Sequence, residues 1–162
     1  MRREYVESGG LTWLVHVAGE GAPLLMLHRP PFSGASLQSL AEHAARRFLV
    51  VAPDLPGCGG TGALAEAAWR VEDCALACIA LADDLGLGRF AVAGEGEGGY
   101  VALAMARTIP DRVTAVAVIA PPAGPAEPPG PGLPDAQPHW DGRHLAGLWA
   151  WLRESACFSP WH

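Results

Sequence analysis

The stretch Gly94-Glu95-Gly96-Glu97-Gly98-Gly99 decides how this chain reads. It joins an apolar segment, Arg89-Phe-Ala-Val-Ala93, to a helical run, Tyr100-Val-Ala-Leu-Ala-Met-Ala-Arg107. A strand, a glycine-rich turn and a helix in that order have the layout of a nucleophile elbow, G-x-S-x-G. Glycines let the backbone turn sharply, and the central residue is lifted towards the substrate. Here the central residue is Gly96, which has no side chain to attack with. The turn is written into the sequence and its nucleophile is not.

Outward from the elbow, strands and helices alternate. Tyr5-Val6-Glu7 and Leu11 to Ala18, split by Gly9-Gly10, predict a hairpin. Pro23 to His28 and Phe48 to Pro53 are short and almost wholly apolar, as strands covered on both faces are. Ser36 is a candidate cap for a helix through Leu37, Leu40, Ala44 and Ala45. Val71 to Leu85 reads as a helix, the elbow helix runs to about Ile109, and Arg112 to Ala120 reads as a further strand. Such alternation predicts an α/β fold with a mostly parallel sheet and right-handed crossovers. Residues 1–120 would form that core. From Pro121 to Pro138 the chain holds eight of its fifteen prolines, the composition of a linker. The segment 139–162 predicts a helix, with Leu145, Trp149 and Leu152 on one face.

Composition narrows the function. Half of the 162 residues are apolar and 17% are charged, so the chain should bury a core. The formal net charge is −6 and no basic run exceeds two residues, which argues against a nucleic-acid partner. Met1-Arg2-Arg3 is not followed by the apolar stretch of a signal peptide, and no run is long enough to span a membrane. A cytoplasmic location is the expectation. The spacing of Cys58, Cys74, Cys78 and Cys157 matches no zinc signature, so no metal is implied. Cys74 and Cys78 should share a buried helix face, whereas Cys58 in its glycine-rich loop should be the more accessible. The glycine turn also lacks the G-x-G-x-x-G phosphate context, and no cofactor is expected.

Three segments in order resemble the α/β-hydrolase superfamily, in its capped branch of epoxide hydrolases and dehalogenases. Leu25-Met-Leu-His28, followed by a proline-containing loop, resembles the strand and His-Gly oxyanion loop. Val51-Ala-Pro-Asp-Leu-Pro-Gly-Cys-Gly-Gly-Thr61 resembles the D-x-x-G-x-G segment, and Gly94 to Gly99 resembles the elbow. The likeness covers about residues 4–120; 139–161 is less specifically similar to the first cap helix. It implies a three-layer sandwich cut short before the last strands, with the start of a cap bearing Trp149 and Trp151 among Trp140 and Trp161.

The same likeness implies lost chemistry. Acyl or alkyl transfer needs a nucleophile, a base, an acid that orients the base and donors for the oxyanion. Gly96 stands at the nucleophile position. Arg29 replaces the glycine of the His-Gly pair, and Pro30 falls where a backbone N–H would be offered, which proline lacks. The family's acid and His lie on later strands, which this sequence does not reach. His28 should be structural and Asp54 part of a turn. Glu95 and Glu97 flank the vacant position, either as a carboxylate pair or as anions suited to a helix N-terminus. Glu95 and Arg29 are candidates for an ion pair across the site.

The expectation is therefore a degenerate or truncated hydrolase-fold protein, non-catalytic, that binds a small apolar ligand or a partner chain. Two alternatives stand beside it. One is a hydrolase whose acid and His come from a second chain. The other is an enzyme of different chemistry that reuses the pocket with Glu95, Glu97 and Arg29. Missing later strands would leave 112–120 as an apolar edge, inviting a homodimer or a partner chain there.

Overall fold

Strand β1 (Arg2–Ser8) and strand β2 (Leu11–Ala18) form the hairpin that the Gly9-Gly10 turn predicts, paired antiparallel from Arg2 opposite Val17 to Ser8 opposite Leu11. In this computed structural model the described residues are 1–64 and 70–121. The chain divides into two units, Met1–Pro122 and Ala123–His162, and the described residues belong to the first. The linker over 121–138, save Pro121, and the cap helix with Trp149 and Trp151 lie outside the described residues.

Strand β3 (Ala22–Leu27) follows the hairpin. A 3₁₀ turn over Gly34–Leu37 then leads into helix α1 (Gln38–Ala44) and strand β4 (Phe48–Pro53). Helix α2 (Val71–Asp84), strand β5 (Phe90–Glu95), helix α3 (Glu97–Thr108) and strand β6 (Val113–Ile119) complete the described order. The six strands lie as β1-β2-β4-β3-β5-β6, antiparallel at the hairpin end and parallel from β4 to β6.

The period of two along the strands explains the three layers. Leu25 and Leu27 of β3 join a core with Trp13, Phe90 and Val92 of the other strands and with Cys78, Leu81, Val101 and Met105 of α2 and α3. Met26, between them in sequence, faces the opposite side with Leu37, Ala41, Val50 and Ala52, under α1. A strand buried on both faces has no polar side to show, so β3 reads as a continuous apolar run. Burial of side chains such as Leu25, Leu27 and Phe90 stabilises by roughly 2 kcal/mol each.

Two local expectations are corrected. Ser36 does not cap α1: it lies inside the 3₁₀ turn, where its hydroxyl donates to the Ser33 carbonyl at 2.8 Å. Cys58 is buried rather than accessible, because the loop after β4 folds inward against the core. Burial pushes its thiol up to about 11, with Cys74 beside it adding to the effect. Cys74 and Cys78 are both buried, as one helix face requires, and the hydrogen bond with Cys74 together with burial holds the Cys78 thiol well above its ordinary value.

Candidate functional site: an elbow without a nucleophile

β5 ends at Glu95 and α3 begins at Glu97, so Gly96 alone makes the turn between them. Its φ of 56° and ψ of −126° lie in a region that side-chain-bearing residues enter only under strain. The Gly96 N–H donates to the Ile119 carbonyl at 2.9 Å, and its carbonyl accepts from the Gly99 N–H at 3.0 Å. The elbow's backbone is thus fully formed. Gly94 and Gly98 permit the close approach beneath it: a Cβ at Gly98 would stand 2.5 Å from the Leu27 carbonyl oxygen.

What stands over the elbow is Arg29. A Cβ at Gly96 would meet Arg29 Cγ and Cδ at 2.8 Å and Cβ at 3.1 Å. The stem of Arg29 therefore occupies the volume into which a nucleophile at 96 would project. Its guanidinium lies over the Phe32 ring, 5.1 Å from the centroid. Among the described residues no ion pair joins Arg29 to Glu95; the structure gives the arginine an aromatic neighbour instead. Phe32 was not among the sequence candidates, and only its place three residues after Arg29 hinted at the contact.

His28 is buried, and both ring nitrogens are engaged. The Leu55 N–H can only donate, so Nε2 accepts from it at 2.8 Å, and Nδ1–H donates to the Arg29 carbonyl at 3.0 Å. That carbonyl also accepts from the Phe32 N–H at 3.0 Å. The histidine ties the loop and has no free nitrogen with which to act as a base. Burial lowers its pKa from 6.5, against the raising effects of the Arg29 carbonyl and Asp54. Between the folded value and 6.5 the unfolded chain binds the extra proton, so stability falls as pH falls through that window. The slope of stability between pH 7 and pH 5, measured by urea unfolding, should be smaller for His28→Leu than for the parent. An unchanged slope would assign the titration to another group.

Asp54, expected only to belong to a turn, is the polar hub of these loops. It is 1% exposed. Oδ1 accepts from His16 Nε2 at 3.1 Å and from the Gly34 N–H at 2.7 Å, and Oδ2 accepts from the Gly60 N–H at 2.8 Å. One carboxylate thus joins β2, the loop after β3 and the loop after β4. The aspartate of D-x-x-G-x-G carried the signal; its buried partner His16 sits 38 residues earlier and carried none.

Glu97 opens α3, where the helix dipole favours an anion. Its Oε2 is buried and has no hydrogen-bond partner among the described residues. Glu95 ends β5 on the other side of Gly96 and is half-buried. Two surface cavities, of about 370 and 450 Å³, are lined by residues of α2 with α3 and by residues 43–48, and neither touches the elbow.

The sequence profile of the alpha/beta hydrolase fold matches residues 22–152, more than three quarters of the chain. The chain belongs to the alpha/beta hydrolase fold family. Within that family it is 31% identical over 103 residues to an (E)-2-((N-methylformamido)methylene)succinate hydrolase of Acinetobacter baylyi, a match spanning 62% of this chain and 38% of that protein. Among solved structures it resembles an epoxide hydrolase of Vigna radiata, with a TM-score of 0.70 and 27% identity over 78% of this chain and 42% of the other. It also resembles a thermophilic esterase of Thermogutta terrifontis, with a TM-score of 0.69 and 28% identity over 79% and 48%. The chain spans less than half the length of each of these hydrolase-fold relatives. No helix among the described residues is long and apolar enough to cross a membrane.

Proposed function

We propose that this chain is a non-catalytic member of the alpha/beta hydrolase fold family that acts by binding. One observation carries the reading: the elbow keeps its positive-φ backbone, at φ 56°, while the residue there, Gly96, offers no nucleophile. The engaged nitrogens of His28 and the missing N–H of Pro30 support it. Loss of a triad member alone removes several powers of ten in rate, and loss of one oxyanion donor roughly 10²–10³.

The purified protein, offered nitrophenyl esters, epoxides and haloalkanes, should show no turnover above buffer. Gly96→Ser should leave the rates there, because His28 has both ring nitrogens engaged and a serine that no base deprotonates is a poor nucleophile. A rate that survives repurification and is lost on changing Glu95 or Glu97 would overturn the reading and favour a different chemistry in the same place. A rate that appears only with a second polypeptide would favour a site completed by another chain.

Of the two binding roles, the exposed strand favours a partner chain over a small apolar ligand. Among the described residues β6 has β5 as its only strand neighbour. Thr114, Ala115 and Ala117 are exposed, with Val116 at 36% and Ile119 at 40%. The strand carries neither charge nor proline to discourage pairing. Val113-Thr-Ala-Val-Ala-Val-Ile119 is close to a palindrome about Val116. Antiparallel pairing of two copies sets Val116 against itself, Ala115 against Ala117, Thr114 against Val118 and Val113 against Ile119. A two-fold interface requires such self-complementarity, and cross-strand pairs of β-branched residues stabilise sheets. Light scattering at tens of micromolar should show a dimer. Val116→Lys, which sets like charges opposite each other, should weaken it far more than Arg46→Glu. A clean monomer would remove the second copy as partner.

A further inference from the structure

We propose that Arg29 is a built-in plug that closes the elbow to small molecules. This rests on Gly96 marking the nucleophile position and goes beyond the absence of a side chain there. A glycine at that point would by itself leave a hollow. The hollow is filled, because Arg29 Cγ and Cδ lie 2.8 Å from where a Cβ at Gly96 would stand. The substituted residues are therefore complementary in volume: what 96 has lost, 29 supplies from the opposite loop. Glycine at the His-Gly position would leave this space open, whereas the Cβ, Cγ and Cδ of Arg29 fill it.

The loop is built to hold the plug. The Arg29 carbonyl accepts from both His28 Nδ1 and the Phe32 N–H, each at 3.0 Å, which fixes the backbone from which the side chain leaves. The same turn brings the Phe32 ring under the guanidinium at 5.1 Å. Among the described residues no carboxylate binds Arg29, so a cation–π contact and the packing of its stem hold it in place. The hydrogen bonds that fix the loop use the Arg29 carbonyl and not its side chain, so the stem can turn away from Gly96 without unfolding the loop. The elbow is closed at rest and opens when Arg29 turns away.

Thiol labelling tests this without reference to turnover, so its failure is separable from that of the non-catalytic reading. The background is Cys157→Ser; Cys58, Cys74 and Cys78 are buried, and the parent protein supplies their slow rate. Gly96→Cys is compared with Gly96→Cys/Arg29→Ala, both checked for folding by circular dichroism, using 5,5′-dithiobis(2-nitrobenzoate) as the probe. The introduced thiol should react at least tenfold faster once Arg29 is shortened. Equal rates would overturn the plug. A Gly96→Cys protein that folds only in the Arg29→Ala background would support it, since that is the volume conflict expected. Should neither fold, hydrogen exchange over 94–99 in Arg29→Ala alone decides. At least fivefold faster exchange than in the parent is expected, and unchanged exchange would overturn the plug.

Discussion

Asp54→Ala should lower the stability of the fold by about 4 kcal/mol, a large share of the 5–15 kcal/mol that holds a domain together. The carboxylate is buried and accepts from His16 Nε2, the Gly34 N–H and the Gly60 N–H. Alanine removes both acceptor oxygens, and with them all three hydrogen bonds, and leaves buried donors unpaired, at roughly 1–3 kcal/mol each. Water entering the space left by the side chain would recover part of this. Asp54→Asn should cost less, near 2 kcal/mol, because its amide oxygen still serves the Oδ1 partners while its NH₂ confronts the Gly60 N–H. Urea unfolding monitored by tryptophan fluorescence measures both. A loss under 1 kcal/mol for the alanine variant would mean that the three donors find other partners, and that Asp54 is not the hub.

Gly94→Ala should be nearly as damaging, by about 3 kcal/mol, although it adds one methyl group. The new Cβ would overlap the Gly98 carbonyl and stand 2.5 Å from the Gly99 nitrogen. Both are backbone at the first turn of α3, so no rotamer change relieves them and helix and strand must separate. Gly86→Ala provides the contrast, since nothing lies within 4 Å of the position and the strain is that of its positive φ alone. Parallel thermal melts of the two variants measure the difference. Equal losses would show that α3 does not press against β5 as closely as described.

Much of this was legible in the sequence because a period of two and a glycine turn are local signals. The apolar runs at β3 and β4 announced strands covered on both faces, and Leu25, Met26 and Leu27 do divide between the two cores. The vacancy at Gly96 could be read from one residue. Its filling could not, because Arg29 and Gly96 are 67 positions apart and the contact exists only once β3 lies beside β5. The Asp54 hub was hidden for the same reason: its partners lie 38, 20 and 6 residues away. The expected Glu95–Arg29 pair rests on opposite charges across the turn, whereas the guanidinium lies over the Phe32 ring. Cys58 was judged by the glycines around it, whereas its burial is set by the loop's inward fold against α2.

The strand order β4-β3-β5 has a consequence for how the chain acquires its shape. β3 is made early, yet both of its hydrogen-bonding neighbours come later, at Phe48–Pro53 and at Phe90–Glu95. A ribosome releasing the chain must expose this apolar strand with one ladder open until β4 has emerged and the other open until β5 has, some seventy residues after β3. Non-local parallel pairing of this kind is slow to form and vulnerable while it waits. The hairpin β1–β2, closed by two residues, is free to form at once and offers its edge to β4. The nascent molecule is thus ordered from its N-terminal edge inward, and the elbow, seated on the last strand to join β3, is assembled late.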